Sequence, residues 1–151
     1  MKKRHVITIP GYAYYQKELK ELLTDENVMW SITKKEAIED YSMDEDEKIY
    51  RYETEECIFG IKHEPDNQYD PAAIKVFADG HFIGYMPRGH IQELKRLIVP
   101  GVSVWVEIYG GPYKYLEHDD DEDYLGTYEP KYYKFVKEDS PVKAAIIFEW
   151  K

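Results

Sequence analysis

The sequence predicts a mainly antiparallel β fold, a barrel or tightly rolled sheet carrying two to three short helices. Three observations predict it. Val102, Val104, Val106 and Ile108 alternate with Ser103, Trp105, Glu107 and Tyr109, the period of a half-buried strand. Ala73–Phe77 and His81–Tyr85 are β-rich runs joined by Asp79-Gly80, a dipeptide suited to a tight hairpin turn. Strand-like runs outnumber helical ones, and most connections between them are short.

Each element has its own local signal. His5–Ile9 reads as a first strand, ended by Pro10-Gly11. After Tyr12-Ala13-Tyr14-Tyr15, the run Gln16–Leu23 sets Leu19, Leu22 and Leu23 at helical spacing among charges. Asn27–Thr33 reads as a strand through Val28, Trp30 and Ile32, and Lys34–Tyr41 as a short helix. Thr33 and Glu36 are spaced as the capping box of that helix. Lys48–Glu53 alternates without clean phase, and Glu56–Lys62 reads as one strand through Ile58 and Ile61. Gly84 inside its strand signals a bulge or the close approach of another backbone. Pro87 suits the first turn of a helix reaching Ile98, with Ile91, Leu94, Leu97 and Ile98 on a narrow apolar face. Pro100-Gly101 stops it, Gly110-Gly111-Pro112 breaks the strand that follows, and Tyr132–Val136 and Ala144–Trp150 complete the β-like runs.

The formal net charge of −10 is concentrated. Asp44–Glu47 carries four acids and Glu117–Asp123 six, and without those ten the chain holds twenty acids against twenty bases. A neutral body with two acidic loops, within one domain over 1–151, is the expected organisation. Such a body argues against duplex binding through a broad phosphate-neutralising face, though not against a narrow pocket that stacks one or two nucleotides. Nothing approaches about 18 consecutive apolar residues, which argues against a transmembrane helix. The basic start lacks the apolar stretch of a secretory signal, and Cys57 alone can form neither an internal disulfide nor a thiolate zinc cluster. A cytoplasmic location is the expectation.

Catalytic and metal signals are weak. The five histidines show no metal-ligand pair, Cys57 reads as a buried thiol, and there is no phosphate-cradling glycine loop. No metal, cofactor or enzymatic activity is therefore expected. The fifteen tyrosines against five phenylalanines favour amphipathic rings. A nucleobase stacked on one is worth about 1–3 kcal/mol, but tyrosine also fills strand pairs for packing alone, and packing is the expectation for most of the fifteen.

The stretch N-Q-Y-D-P-A-A-I-K-V followed by D-G-H-F-I-G-Y-M-P, residues 67–76 and 79–87, resembles the HIRAN domain family. The resemblance implies a small β-barrel related to the OB architecture with flanking helices, and a non-catalytic module that binds the 3′ end of single-stranded DNA in DNA repair or processing. By position it implies that Tyr14 and Tyr15 hold a base with Tyr69 beside it, and that Asp70 accepts a hydrogen bond from a free 3′-hydroxyl. Asn67 would meet a base edge or sugar, and Lys75 and Arg88 backbone phosphates. Ala13, Gln68 and Ala72 stand where the family pattern has Arg, Pro and Asn. Two plainer roles stay open: Asp70 as an Asx-turn that only pins its loop, and Tyr69 as a plug of the barrel. A different class of function is a protein-interaction adaptor whose acidic loops engage a basic partner.

Overall fold

The computed structural model describes residues 1–118 and 133–151. The first half of the chain forms β1 (Lys3–Thr8), a 3-10 turn (Tyr12–Tyr14), α1 (Gln16–Leu22), a second 3-10 turn (Val28–Ser31), α2 (Lys34–Glu39), β2 (Ile49–Tyr50), β3 (Glu55–Cys57) and β4 (Phe59–His63). The second half forms β5 (Ile74–Ala78), β6 (His81–Tyr85), a 3-10 turn (Arg88–His90), α3 (Ile91–Leu97), β7 (Ser103–Gly110), β8 (Tyr113–His118), β9 (Tyr133–Glu138) and β10 (Val142–Trp150). The fold is mainly β, as expected, in three antiparallel sheets of order β1-β10-β7-β3, β2-β8-β9 and β4-β5-β6. Among the described residues no sheet closes into a ring.

The chain forms two compact units. The first comprises Met1–Thr24, Thr54–Tyr109 and Pro141–Lys151, and the second Asp25–Glu53 and Gly110–Ser140. Charge divides with them. The first has twelve Lys and Arg against eleven Asp and Glu, net +1; the second has eight against nineteen, net −11.

In the first unit β10 is an inner strand, and Ala144–Phe148 are all buried, the pattern of a strand covered on both faces. The Gln16 side chain fastens α1 to it: its amide nitrogen donates to the Val142 carbonyl at 2.8 Å, and its oxygen accepts the Val142 N–H at 3.0 Å. Leu19, fully buried, is the apolar anchor of the same helix. At the N-terminal end of α3, Glu93 receives the His5 ring at 2.7 Å and the His90 ring at 3.2 Å. The Asp79-Gly80 turn has φ of 47° and 82°, the left-handed pair a two-residue hairpin requires.

Glu56–Lys62 is not one strand. The ladder breaks at Ile58, 79% exposed, whose N–H turns away to Asp79 Oδ1 at 2.6 Å. β3 and β4 therefore enter different sheets. Cys57, just before the break, is buried, and burial followed by nearby Asp79 pushes its thiol up to about 12, far from a thiolate nucleophile.

The second unit packs Ile32, Ala37, Ile49, Leu116 and Tyr133 together. The Thr33–Glu36 capping box forms with both of its bonds, at 3.1 and 3.2 Å. Asn27–Thr33, expected as a strand, is a 3-10 turn instead, because the Asn27 side chain accepts the Met29 N–H at 2.9 Å and starts a helical turn. β8 was without a strand signal in the sequence, since it carries Lys114 at a core position. That lysine is 4% exposed, and its ammonium donates to the Trp30 and Ile32 carbonyls at 2.6 and 3.3 Å. Its pKa is lowered, first by burial and then by Lys137. Tyr132 and residues 119–123 of the second acidic run lie outside the described residues.

Gly84 has φ 142°, and a Cβ placed on it would lie 2.8 Å from Ile9 Cγ2. We expect Gly84→Ala to lower the free energy of unfolding by about 3 kcal/mol, combining backbone strain with overpacking. Gly80→Ala, with φ 82° but open space around it, should lose only about 1 kcal/mol. Urea denaturation of the two variants measures the difference, and a loss in Gly84→Ala no larger than in Gly80→Ala would mean that Ile9 yields without cost.

Candidate functional site

The loop between β4 and β5 is built from its own polar side chains. Asn67 Oδ1 accepts the backbone N–H groups of Tyr69 and Asp70, both at 2.9 Å. One step on, Asp70 Oδ1 accepts the Ala72 N–H at 2.9 Å. The His63 ring nitrogen Nε2 lies 2.8 Å from the Pro71 carbonyl, which can only accept, so that nitrogen carries the proton. With these bonds holding both ends, the ring of Tyr69 stands outward, 83% exposed. It is not a plug.

Beneath the loop, Glu64 collects three donors. Its Oε1 accepts from Asn67 Nδ2 at 2.9 Å and the Tyr85 hydroxyl at 3.1 Å, and its Oε2 meets the Lys75 ammonium at 2.9 Å. The Lys75 and Asn67 hydrogen bonds hold the Glu64 carboxyl below its usual range, and the same contact raises Lys75. Lys75 also lies 4.8 Å from the centre of the Phe82 ring. Phe82 joins two tyrosines: Tyr15 meets it edge-on at 5.1 Å, and Tyr85 stands perpendicular to it at 5.4 Å. Burial, followed by Tyr85, raises the Tyr15 phenol above its ordinary value.

A shallow cleft of about 490 Å³ opens beside this network, lined by Glu64, Asp66, Asn67, Gln68, Tyr69 and Tyr85. The structure thus links six of the seven residues singled out in the sequence. Asn67 and Tyr69 line the cleft; Lys75 and Tyr15 lie behind it through Glu64 and Phe82. Asp70 Oδ2 pairs with Arg88 Nε at 3.2 Å, on a guanidinium side chain 77% exposed. Tyr14, in the 3-10 turn and 88% exposed, is not among the cleft-lining residues. Glu64 and Asp70 each have a cation in contact, so Asp66 leaves the rim with one net negative charge.

Glu64, Phe82 and Tyr85 were not singled out from the sequence. Phe82 and Tyr85 are three apart, which in a regular strand puts them on opposite faces. A bulge corrects this: Val76 pairs with Gly84 but Phe77 with Phe82, so Ile83 is extra and the two rings share a face with Lys75. Gly84 was the readable trace of that bulge. Elsewhere tyrosines pack as expected of most. Tyr113 and Tyr115 both donate to Glu138, at 2.7 and 3.3 Å, and that hydrogen bond pushes Tyr113 up to about 12. Among the described residues no group of His, Cys, Asp and Glu is arranged to hold a metal, and no helix is long and apolar enough to cross a membrane.

The family model of the HIRAN domain matches residues 6–113, a span that contains the whole cleft and its aromatic backing. No curated protein and no solved structure matches the chain.

The Glu64 carboxyl titrates below the ordinary glutamate value of 4.5 in the folded chain, so its bonds stabilise the fold above that value and are lost as pH falls through the lowered one. Glu93, lowered by its His90 and His5 hydrogen bonds, acts in the same direction. Thermal stability should therefore decline as pH drops below about 4.5, and Glu64→Gln should flatten part of that decline. Superimposable stability profiles for the two proteins would mean that the Glu64 network does not form in solution.

Proposed function

The chain belongs to the HIRAN domain family, generally a DNA-binding module, and from that premise we propose that it binds single-stranded DNA at a free 3′-hydroxyl end. Base stacking on Tyr69 supplies most of the affinity, in a non-catalytic module serving DNA repair or processing. One observation carries this reading: Tyr69 is 83% exposed at the tip of a loop whose Asn67 and Asp70 side chains are tied to the loop itself. An aromatic ring held in water by a rigid support gains little from its own fold and offers a face to any base.

The roles divide accordingly. Tyr69 and Tyr14, both exposed, offer stacking faces. Tyr15 supports Phe82 and, through it, the Tyr85 wall of the cleft. Asn67 positions Tyr69, because its carbonyl oxygen is already occupied by two backbone donors. Asp70 uses one oxygen for the turn and presents the other beside Arg88. A 3′-hydroxyl can donate to that second oxygen, whereas a 3′-phosphate brings a like charge to it. Arg88 and Lys75 are the nearest cations for a backbone phosphate, and both are already shared with carboxylates. Binding by stacking with so few available cations depends only weakly on salt.

Fluorescence anisotropy with short oligonucleotides ending in 3′-hydroxyl or 3′-phosphate tests the reading. The hydroxyl form should bind more tightly, Tyr69→Ala should weaken it by about 1–3 kcal/mol, and Asp70→Asn should narrow the gap between the two ends. With about two phosphates contacted, the slope of log K against log salt should be no steeper than about −1.5. Equal affinity for both ends would remove the end-recognition role of Asp70, and unchanged affinity in Tyr69→Ala would remove the stacking site.

A further inference from the structure

The second unit has an apolar hollow and a charge that the cleft of the first does not use. α2 ends at Glu39, and the chain then turns through Ser42, at φ 48°, into the acidic run that begins at Asp44. This turn leaves Tyr41 52% exposed and Met43 only partly buried against the core of the unit. Two hollows meet at Met43. One of about 300 Å³ is lined by Met29, Tyr41, Met43 and Ile49 among others. The other, about 330 Å³, includes Ile38, Met43 and Tyr133. Val28, beside Met29 in sequence, is 79% exposed.

Acids stand around both. Glu47 lines the first hollow, and Asp44 and Glu45 the second. They are held in place: Asp44 donates its N–H to Glu47 at 3.3 Å, Asp46 its N–H to the Leu116 carbonyl at 3.1 Å, and Glu45 accepts the His118 N–H at 3.1 Å. Lys48, the one cation lining the first hollow among the described residues, has its ammonium 4.6 Å from the centre of the Tyr113 ring.

We propose that this groove docks a basic amphipathic segment of a partner protein, with its apolar side chains around Met43 and its lysines or arginines against Asp44, Glu45 and Glu47. Methionine and tyrosine supply an adaptable apolar floor of the kind that receives one face of a helix. The rim chooses the charge of the occupant, since an acidic or phosphate-bearing ligand would meet a unit of net −11. A second copy of the chain is disfavoured on the same ground, because it would bring the same acidic rim to the contact.

The test uses the full chain and a labelled peptide of about 18 residues, long enough for five helical turns, with Leu at i, i+3 and i+4 spacing and Lys elsewhere. Two control peptides replace every Lys by Glu or every Leu by Ser. The basic amphipathic peptide should bind, both controls should bind far more weakly, and added salt should weaken the complex. Tyr41→Ala should weaken binding about tenfold, the loss of one anchor. The double variant Asp44→Asn, Glu47→Gln should flatten the salt dependence, and Tyr69→Ala, in the other unit, should leave the affinity unchanged. No binding, equal binding of either control, or an unchanged affinity in Tyr41→Ala would overturn the proposal. A dimer in sedimentation that Tyr41→Ala dissolves, with no peptide bound, would assign the groove to a second copy and overturn it equally.

Discussion

Gly84 does two things at once, and the site depends on both. Its φ of 142° accommodates the bulge that carries Ile83 out of register, which turns Phe82 and Tyr85 onto one face of β6. Its missing side chain lets Ile9 and the Pro10 carbonyl come within 2.8 and 3.4 Å of where a Cβ would stand. That approach brings the segment after β1 against β6, so Tyr15 reaches the Phe82 ring. A residue with a side chain would disturb the aromatic stack and the strand contact together.

On the other side of the same hairpin, electrostatics follows from geometry. Lys75 projects on the face that the bulge gives to Phe82 and Tyr85, so Glu64 finds the ammonium, the Tyr85 hydroxyl and the Asn67 amide in one place. Polar side chains in the loop are then largely occupied with one another, and the exposed chemistry is mainly aromatic. A site of this composition offers stacking surface more than charge, and the proposed reading of single strands rests on that balance.

The charge of the chain is a property of its parts. A net −10 describes neither unit: one is nearly neutral and carries the cleft, and the other holds all the excess acid. The lysine buried in that acidic unit is held by two carbonyl groups and aromatic rings of Trp30 and Phe135, with no carboxylate among its hydrogen-bond acceptors in the described residues. Core position, more than ion pairing, explains why it is there.

Where a local rule acts over a few residues, the sequence by itself determined the outcome. The Asp79-Gly80 turn, the Thr33–Glu36 capping box and the alternation of Val102–Ile108 were legible because turn chemistry, capping and strand period need no distant partner. Tertiary structure decided the rest. Asn27 turned an apparent strand into a 3-10 turn through one side-chain bond, and Ile58 gave up its strand to bond Asp79, twenty-one residues away. Lys114 concealed β8 because a lysine in a core position is tolerated only where carbonyl groups from elsewhere meet it. Nothing local marks Glu64, because Lys75 and Tyr85 reach it only once β4, β5 and β6 form one sheet. Local rules set what each segment becomes, whereas the partners of a buried or shared polar group are fixed by strands that meet only in the folded chain.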